Sequence, residues 1–181
     1  MPVSEKTFKQ VALEDPQGQW ELCCGELRRK PGMTYEHNDV AINLAFQLMQ
    51  QLDRAAYHVR HNAGHVRKSS DSYYIPDVFV IPDELTLPLR GRMVLETYAS
   101  PLPLVVEVWS HSTGDYDVEF KLGEYQARGD LEIWRIHPYE RTLTTWRRQP
   151  DGSYSENIQT GGVVQPVALP NVTIDLDALF E

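Results

Sequence analysis

Apolar and polar positions recur along the chain with two distinct periods, and these periods predict a mixed α/β fold. In residues 36–55, EHNDVAINLAFQLMQQLDRA, the apolar side chains recur at intervals of three and four, which predicts an amphipathic helix. Residues 102–109, LPLVVEVW, are almost continuously apolar, a pattern typical of a strand buried on both faces. A second helix is predicted to follow this strand and to end near Arg128, with Thr113 or Asp115 as its N-cap.

Shorter segments predict the remaining strands of a central sheet and its hairpins. In chain order these segments are WELCCGELRRKPG, YHVRHNAGHVR, YYIPDVFVIP, LEIWRIHP, RTLTTWRRQ and SYSENIQ. YYIPDVFVIP is predicted to be one strand that ends at Pro82. Residues 83–103 carry turn signals and are expected to leave the core, with a short helix in MVLETYAS. The tail, NVTIDLDALF, is predicted to end in a short helix.

Length indicates one domain over residues 1–181, and the order of the predicted elements makes it an α/β domain with a central β-sheet, two main helices and extra β-hairpins. Hydrophobic residues make up 41% and charged residues 24% of the chain, which is typical of a soluble globular protein. No apolar run reaches the length of a membrane span and the first residues lack a signal-peptide core, so we expect a cytoplasmic protein without membrane contact. The adjacent Cys23 and Cys24 suit neither a structural disulfide nor a zinc ribbon, and are expected to be reduced.

The charge of the chain argues mildly against nucleic-acid binding. Lys and Arg number 17 and Asp and Glu number 26, which gives a net charge of −9, whereas nucleic-acid binders usually show a basic footprint. Basic residues nevertheless cluster in three groups: Arg28, Arg29 and Lys30; Arg60, Arg67 and Lys68; Arg141, Arg147 and Arg148. A locally positive groove and ordinary solvated faces are both compatible with this pattern.

Three separated polar residues, Asp77, Glu107 and Lys121, are the main candidates for chemistry. Two carboxylates at strand positions can hold a hard divalent cation through oxygen ligands. A nearby ammonium group can stabilise the charge that develops on a phosphate or orient an attacking water. The combination therefore suits metal-dependent hydrolysis of a phosphodiester.

Each of these residues also has a structural interpretation. Pro76-Asp77 alone is more typical of a turn than of a metal site. Glu107 interrupts an apolar run and is expected to be buried, so it requires a metal, a cationic partner or a hydrogen-bond network. A structural salt bridge between Glu107 and Lys121 or an arginine is the alternative to a metal site.

Other kinds of site have little support in the sequence. His58, His61 and His65 lie close together, but their spacing matches no zinc motif, and a short strand pair would distribute them over both faces. The chain contains no GxxxxGK[ST] loop, no GxGxxG and no GxSxG elbow, which leaves nucleotide-driven, dinucleotide-dependent and serine-hydrolase functions without support.

The segments IPDVFVIP and PLVVEVWSHSTGDYDVEFKLGEYQARGDLEIWRIHP resemble the Uma-type family of restriction endonucleases in the PD-(D/E)XK nuclease-like superfamily. The resemblance extends to the early strand with its Gly-Glu pair, to the helix that follows His37, and to the closing segment LPNVTIDLDALF. It implies a restriction-endonuclease-like core with a mixed sheet between helices.

The resemblance also implies roles for individual residues. Asp77 and Glu107 match the metal-binding carboxylates of the family, and Glu26 is implied as a third acid from the early strand. Lys121 matches a lysine that the family carries on the helix after the glutamate strand. Further family-like positions are Ser110, Ser112, Thr113 and Asp117.

The chain departs from the superfamily pattern at two positions. The usual motif places a lysine two residues after the acid, where this chain has Trp109. An ammonium on the adjacent helix could reach the same space, which is a hypothesis for Lys121. In the strand after the helix, the family has an acidic residue before proline, and this chain has His137-Pro138.

The sequence therefore predicts an endonuclease that hydrolyses double-stranded DNA with Mg²⁺ or Mn²⁺. A homodimer is expected by analogy, because two cuts in a duplex need two sites. The alternative function is a catalytically inactive nuclease-like module that interacts with DNA or protein, since a fold alone does not determine activity. The acidic net charge and Trp109 favour this alternative.

Overall fold

The computed structural model describes residues 2–112 and 114–181, with the backbone alone described for residues 114–118. The helices are α1 (Glu5–Glu14), α2 (Tyr35–Gln51), α3 (Gly114–Arg128) and α4 (Leu176–Leu179). Two short 3-10 helices span Asp83–Leu85 and Leu87–Leu89. The strands are β1 (Trp20–Cys23), β2 (Glu26–Arg29), β3 (Tyr57–His61), β4 (His65–Ser69), β5 (Ser72–Tyr74), β6 (Val78–Pro82), β7 (Thr97–Tyr98), β8 (Leu104–Val108), β9 (Glu132–His137), β10 (Thr142–Arg148), β11 (Tyr154–Gln159), β12 (Val163–Val164) and β13 (Ile174–Asp175).

A six-stranded mixed sheet forms the centre of the molecule, with strand order β11-β10-β9-β8-β6-β3. Its central pair, β8 and β9, is parallel, and the neighbouring pairs are antiparallel. Parallel neighbours need a long crossover connection, and α3 provides it. All five residues of β8 are buried, which confirms the strand predicted from the apolar run.

A second sheet has the strand order β2-β1-β5-β4-β7. The chain passes from it into the six-stranded sheet between β5 and β6, through Ile75, Pro76 and Asp77. The prediction of one strand over YYIPDVFVIP is therefore wrong, because the segment contains two strands in different sheets. Proline has no N–H to give to a strand ladder, so Pro76 is a natural place for the break.

Two apolar cores lie on opposite faces of the six-stranded sheet. On one face, α2 buries Ala41, Leu44 and Leu48 against alternate residues of the central strands, which confirms the amphipathic helix. On the other face, Val105 of β8 and Tyr125 of α3 belong to the core shared with the second sheet. Alternation along β8 therefore directs Glu107 to the same face as Val105.

Several local features differ from the predictions. Helix α1, with Ser4 as its N-cap, was not expected from the pattern, since only Phe8 and Ala12 of this helix are buried. Residues 93–100 contain strand β7 instead of a short helix; this strand pairs in parallel with β4. Cys24 has a φ of +51° and forms the two-residue hairpin turn with the following glycine, so it lies outside the strands.

Across the described part of the chain, no helix combines the length and the apolar character that crossing a bilayer requires. The proposed N-caps of α3, Thr113 and Asp115, lie outside the side chains that the structure describes.

The buried His65 predicts a pH dependence of stability. Burial lowers the pKa of His65 below 6.5, although a hydrogen bond to the carbonyl oxygen of Trp20, at 2.9 Å, opposes the shift. As the pH falls below about 6.5, His65 binds a proton in the unfolded chain but not in the folded protein. The free energy of unfolding therefore decreases by up to about 1.4 kcal/mol per pH unit. His65→Gln keeps a donor for Trp20 and is expected to reduce this loss.

Denaturant titrations at pH 7.5, 6.5 and 5.5 measure the effect, with the exposed His111→Gln as the control. An equal acid loss in the wild type and in His65→Gln would show that His65 does not contribute.

Candidate active site

Asp77 lies in the crossing between the two sheets and is almost fully buried, with 1% of its surface exposed. Its Oδ1 accepts a hydrogen bond from Lys30 Nζ at 2.6 Å, and its Oδ2 accepts one from the backbone N–H of Val108 at 2.7 Å. The ring Nε2 of His37 lies 3.1 Å from the same Oδ2. Burial by itself raises the pKa of Asp77, but the charge of Lys30 and the contact with His37 outweigh it and hold this pKa below its usual value. Asp77 is therefore a charged carboxylate fixed by three contacts.

Glu107 projects from β8 into the same region. The hydroxyl of Tyr125 donates a hydrogen bond to its Oε1 at 2.5 Å, and Lys121 Nζ lies 3.4 Å from that oxygen. Burial raises the pKa of Glu107 to about 7; Lys121 opposes this shift, and the charge of Asp77 adds to it. The buried carboxyl group of Glu107 therefore takes up a proton more readily than an exposed glutamate does.

Lys121 reaches the site from α3. Its Nζ donates a hydrogen bond to Glu21 Oε1 at 2.9 Å and forms the ion pair with Glu107. Burial lowers the pKa of Lys121, but the two carboxylates outweigh burial and raise it above its usual value. The structure therefore brings Asp77, Glu107 and Lys121 together, and Lys121 remains an ammonium.

Glu21, on β1, is the third acid beside this lysine, and the sequence analysis missed it. Its Oε1 also accepts a hydrogen bond from the backbone N–H of Ile75 at 2.8 Å. The structure does not bring Glu26 to the site, because Glu26 begins the next strand, opposite Cys23 in the hairpin, and its side chain is 77% exposed. The signal for Glu21 available in the sequence was an acidic residue at an inward position of a predicted strand.

Lys30 is a second residue that the sequence analysis did not single out beyond its basic run. Its Nζ donates hydrogen bonds to Asn62 Oδ1 at 2.7 Å, to the Ile75 carbonyl oxygen at 3.0 Å and to Asp77 at 2.6 Å. An ammonium has three N–H donors, so these oxygens use all of them. With 4% of its side chain exposed, Lys30 is a fixed internal cation that holds Asp77.

These residues line a cavity of about 60 Å³, enough for a few water molecules or a partly hydrated ion. Its charged lining consists of Glu21, Arg28, Arg29, Lys30, Asp77, Glu107 and Lys121. Four cationic and three anionic side chains thus meet in a chain whose overall charge is −9. The first basic run of the sequence contributes to a locally positive cavity.

The two departures from the superfamily pattern contact each other. Trp109 follows Glu107 by two residues, and its indole stacks on the imidazole of His137, with ring centroids 4.3 Å apart and an interplanar angle of 21°. The hydroxyl oxygens of Ser110 and Ser112 lie 3.2 Å apart. The other family-like positions, Thr113 and Asp117, lie outside the side chains that the structure describes.

The clustered histidines contact different partners. His58 lies 2.6 Å from Asp83, His61 contacts the neighbouring Asn62, and His65 contacts Trp20. Within the described residues, no group of three or more His, Cys, Asp and Glu side chains is arranged to hold a metal ion. The carboxylate oxygen donors that line the cavity come from Asp77, Glu107 and Glu21, of which Glu21 also holds Lys121.

This donor set fits Mg²⁺ or Mn²⁺ better than a softer metal. Mg²⁺ usually keeps several waters and is held by one or two carboxylates together with substrate phosphates. Asp77 and Glu107 supply that number of carboxylates beside a cavity large enough for a few water molecules.

Comparison with known proteins assigns the family and the fold. The family model described as Uma2, "Putative restriction endonuclease", matches residues 6–177. No functionally curated protein matches the chain. The crystal structure of a "putative nuclease belonging to DUF820" from Anabaena variabilis superposes with a TM-score of 0.79, covering 99% of this chain and 98% of that chain at 15% sequence identity. The resemblance and the restriction-endonuclease-like α/β fold predicted from sequence are confirmed.

Proposed function

Because the chain belongs to the Uma2 family of restriction-endonuclease-like proteins, we propose that it is a divalent-metal-dependent endonuclease that hydrolyses phosphodiester bonds in double-stranded DNA. The observation that carries the proposal is the convergence of Glu21, Asp77, Glu107 and Lys121 on one cavity. These side chains come from four separate segments of the chain, and each is more than nine-tenths buried or held by an ion pair.

Asp77 and Glu107 are the residues proposed to hold Mg²⁺ or Mn²⁺. When bound, such an ion polarises the scissile phosphate and lowers the pKa of a coordinated water. Lys30 and His37 fix the orientation of Asp77, and the Tyr125 hydroxyl fixes that of Glu107. The carboxylates are thus preorganised and need little rearrangement.

Lys121 is proposed to stabilise charge on the reacting phosphate. Glu21 holds its ammonium beside Glu107, where a phosphate oxygen that approaches the cavity can accept a hydrogen bond from it. The ammonium that the superfamily places two residues after the acid thus comes here from α3.

Arg28 and Arg29 are proposed to contact the phosphate backbone at the mouth of the cavity. They line it together with the buried Lys30, and most protein–DNA hydrogen bonds go to phosphate and sugar oxygens. This local charge offers a binding surface in spite of the acidic total. We also propose a homodimer, since cutting both strands of a duplex requires two sites.

A non-catalytic nuclease-like module is the second candidate function. The observation that favours it is Trp109, which stands in the sequence where the usual motif has its lysine and stacks on His137. Under this alternative, the protein binds DNA or a protein partner without cleaving it.

A plasmid cleavage assay separates the two functions. Purified protein is incubated with supercoiled DNA in Mg²⁺, in Mn²⁺ or in EDTA, and an identically prepared Glu107→Gln variant controls for contaminating nuclease. The endonuclease is expected to produce nicked and linear DNA only with metal, and only in the wild type. Cleavage that is equal in the variant, or a shift of DNA mobility without cleavage, would contradict the proposal.

A further inference from the structure

The outer face of α2 carries a stripe of large apolar side chains. Tyr35 is 76% exposed, Ile42 45%, Phe46 55% and Met49 44%. Their spacings of seven, four and three residues place them on one narrow line along a helix of 3.6 residues per turn. The line lies opposite the face that packs on the six-stranded sheet.

Three of these four side chains lie in a stretch of the helix that lacks charge, and Tyr35 lies before it, beside Glu36 and Asp39. Residues 40–52, VAINLAFQLMQQL, contain no Asp, Glu, Lys or Arg, although 24% of the chain is charged. The exposed face of a helix in contact with water normally carries charged and polar residues. Loss of charge together with exposed Tyr, Phe and Met is the composition of the buried centre of a protein interface.

We propose that this α2 stripe, formed by Tyr35, Ile42, Phe46 and Met49, is the contact surface between two copies of this chain. A stripe with coiled-coil-like spacing can pack against an identical stripe around a two-fold axis. Two chains of net charge −9 repel each other over most of their surfaces. The part of the stripe with Ile42, Phe46 and Met49 allows two such chains to approach without bringing like charges together, whereas Glu36 and Asp39 lie beside Tyr35 at the other end.

Other occupants fit this surface less well. DNA requires cations, and no lysine or arginine lies on α2. A membrane-surface helix usually carries Lys and Arg beside its apolar face, which this helix also lacks.

The size of the surface suits a dimer. Four side chains with these exposed fractions present roughly 400–500 Å² of apolar area, and a polar rim around them, which includes Gln50 and the hydrogen-bonded pair Asn43 and Asp39, extends it toward the ~800 Å² per partner of a standard interface.

The proposed interface is connected to the candidate active site through α2. His37, in the first turn of this helix, contacts Asp77 on the buried side, while the stripe faces the partner. Pairing of two α2 helices would therefore fix the position of the helix that carries His37, the residue that orients Asp77. This interface rests on the homodimer in the proposed function, but the experiment that tests it measures molecular mass and does not depend on cleavage.

Mass measurement by light scattering or sedimentation tests the interface. At about 50 µM, above the dissociation constants typical of standard interfaces, the wild type is expected at twice the monomer mass of 20.8 kDa. Phe46→Glu places a charge at the centre of the stripe and is expected to weaken dimerisation by at least about 30-fold. Met93→Glu, at a fully exposed apolar residue outside the stripe, is the matched control and should remain dimeric.

Circular dichroism shows whether each variant is folded, and the milder Phe46→Gln replaces Phe46→Glu if the latter unfolds. A wild type at 20.8 kDa would overturn the proposal and assign the stripe to another partner. A dimer that persists in folded Phe46 variants would also overturn it. Dimerisation without any cleavage would contradict the proposed function alone.

Discussion

Glu107→Gln is expected to reduce metal-dependent DNA cleavage by more than about 100-fold. Substitution of residues that only support a metal ligand typically costs 10–100-fold, and Glu107 is proposed as a direct ligand. Glutamine has nearly the same shape and can still accept the hydrogen bond from Tyr125. The fold should be retained, because glutamine is neutral and avoids the cost of burying a charge, the same cost that raises the pKa of Glu107. Initial cleavage rates with Mn²⁺, together with thermal melts in EDTA, measure the two effects separately.

Glu26→Gln is the matched control for this experiment. Glu26 is a carboxylate that the family resemblance implied as a third acid, but its side chain is exposed and outside the cavity lining. The variant should cleave like the wild type. If it loses activity as severely as Glu107→Gln, the placement of Glu21 as the third acid is wrong.

Arg128→Met is expected to lower the free energy of unfolding by about 3–5 kcal/mol, the cost of breaking a buried ion pair by removing one partner. The Arg128 side chain is 1% exposed and pairs with the fully buried Asp130 at 3.0 Å. It also donates hydrogen bonds to the carbonyl oxygens of Tyr98 at 3.0 Å, Ser100 at 2.8 Å and Arg67. Methionine fills similar space but leaves Asp130 and these carbonyls without their donor.

Thermal melting measures this effect, and the expected decrease is roughly 6–20 °C for a chain of this length. Arg60→Met is the control, because Arg60 pairs with Glu96 at a position where both side chains are about one-third exposed. Exposed pairs contribute at most about 1 kcal/mol. Equal melting temperatures for the two variants would mean that the buried network around Arg128 contributes no more than a surface pair.

Local patterns made Asp77, Glu107 and Lys121 candidates, the family resemblance favoured them as one site, and the structure brings the three side chains to one cavity. Glu107 was recognisable because a carboxylate inside a continuous apolar strand needs a partner. Lys121 follows from the helix after that strand, and the resemblance named all three residues. Helix α2 was predicted from its periodicity, strand β8 from its continuous apolar run, and helix α3 from cap signals after that strand.

Glu21 and Lys30 could not be predicted with the same reasoning. Glu21 was one of two acids in a short hairpin, and the register places both on the same face, because Glu26 pairs with Cys23, two residues after Glu21. What separates them is that β1 lies between β2 and β5, whereas β2 is the edge strand, and this order follows from how the sheet assembles. Lys30 gains its role from Asn62 and Ile75, which lie 32 and 45 residues away along the chain.

The sequence by itself determined the periods of the main elements and the burial of Glu107, because each depends on neighbours within a few residues. It also determined the family, whose model matches residues 6–177. Only the tertiary structure decided that YYIPDVFVIP divides between two sheets, so that Asp77 lies in the crossing between them. It also decided which acid and which lysines reach the cavity, since contacts between distant segments depend on how the sheets pack. The uncharged stretch of α2 is a property of the sequence. Which of its side chains are exposed depends on the tertiary structure, because the opposite face of the helix packs in the core.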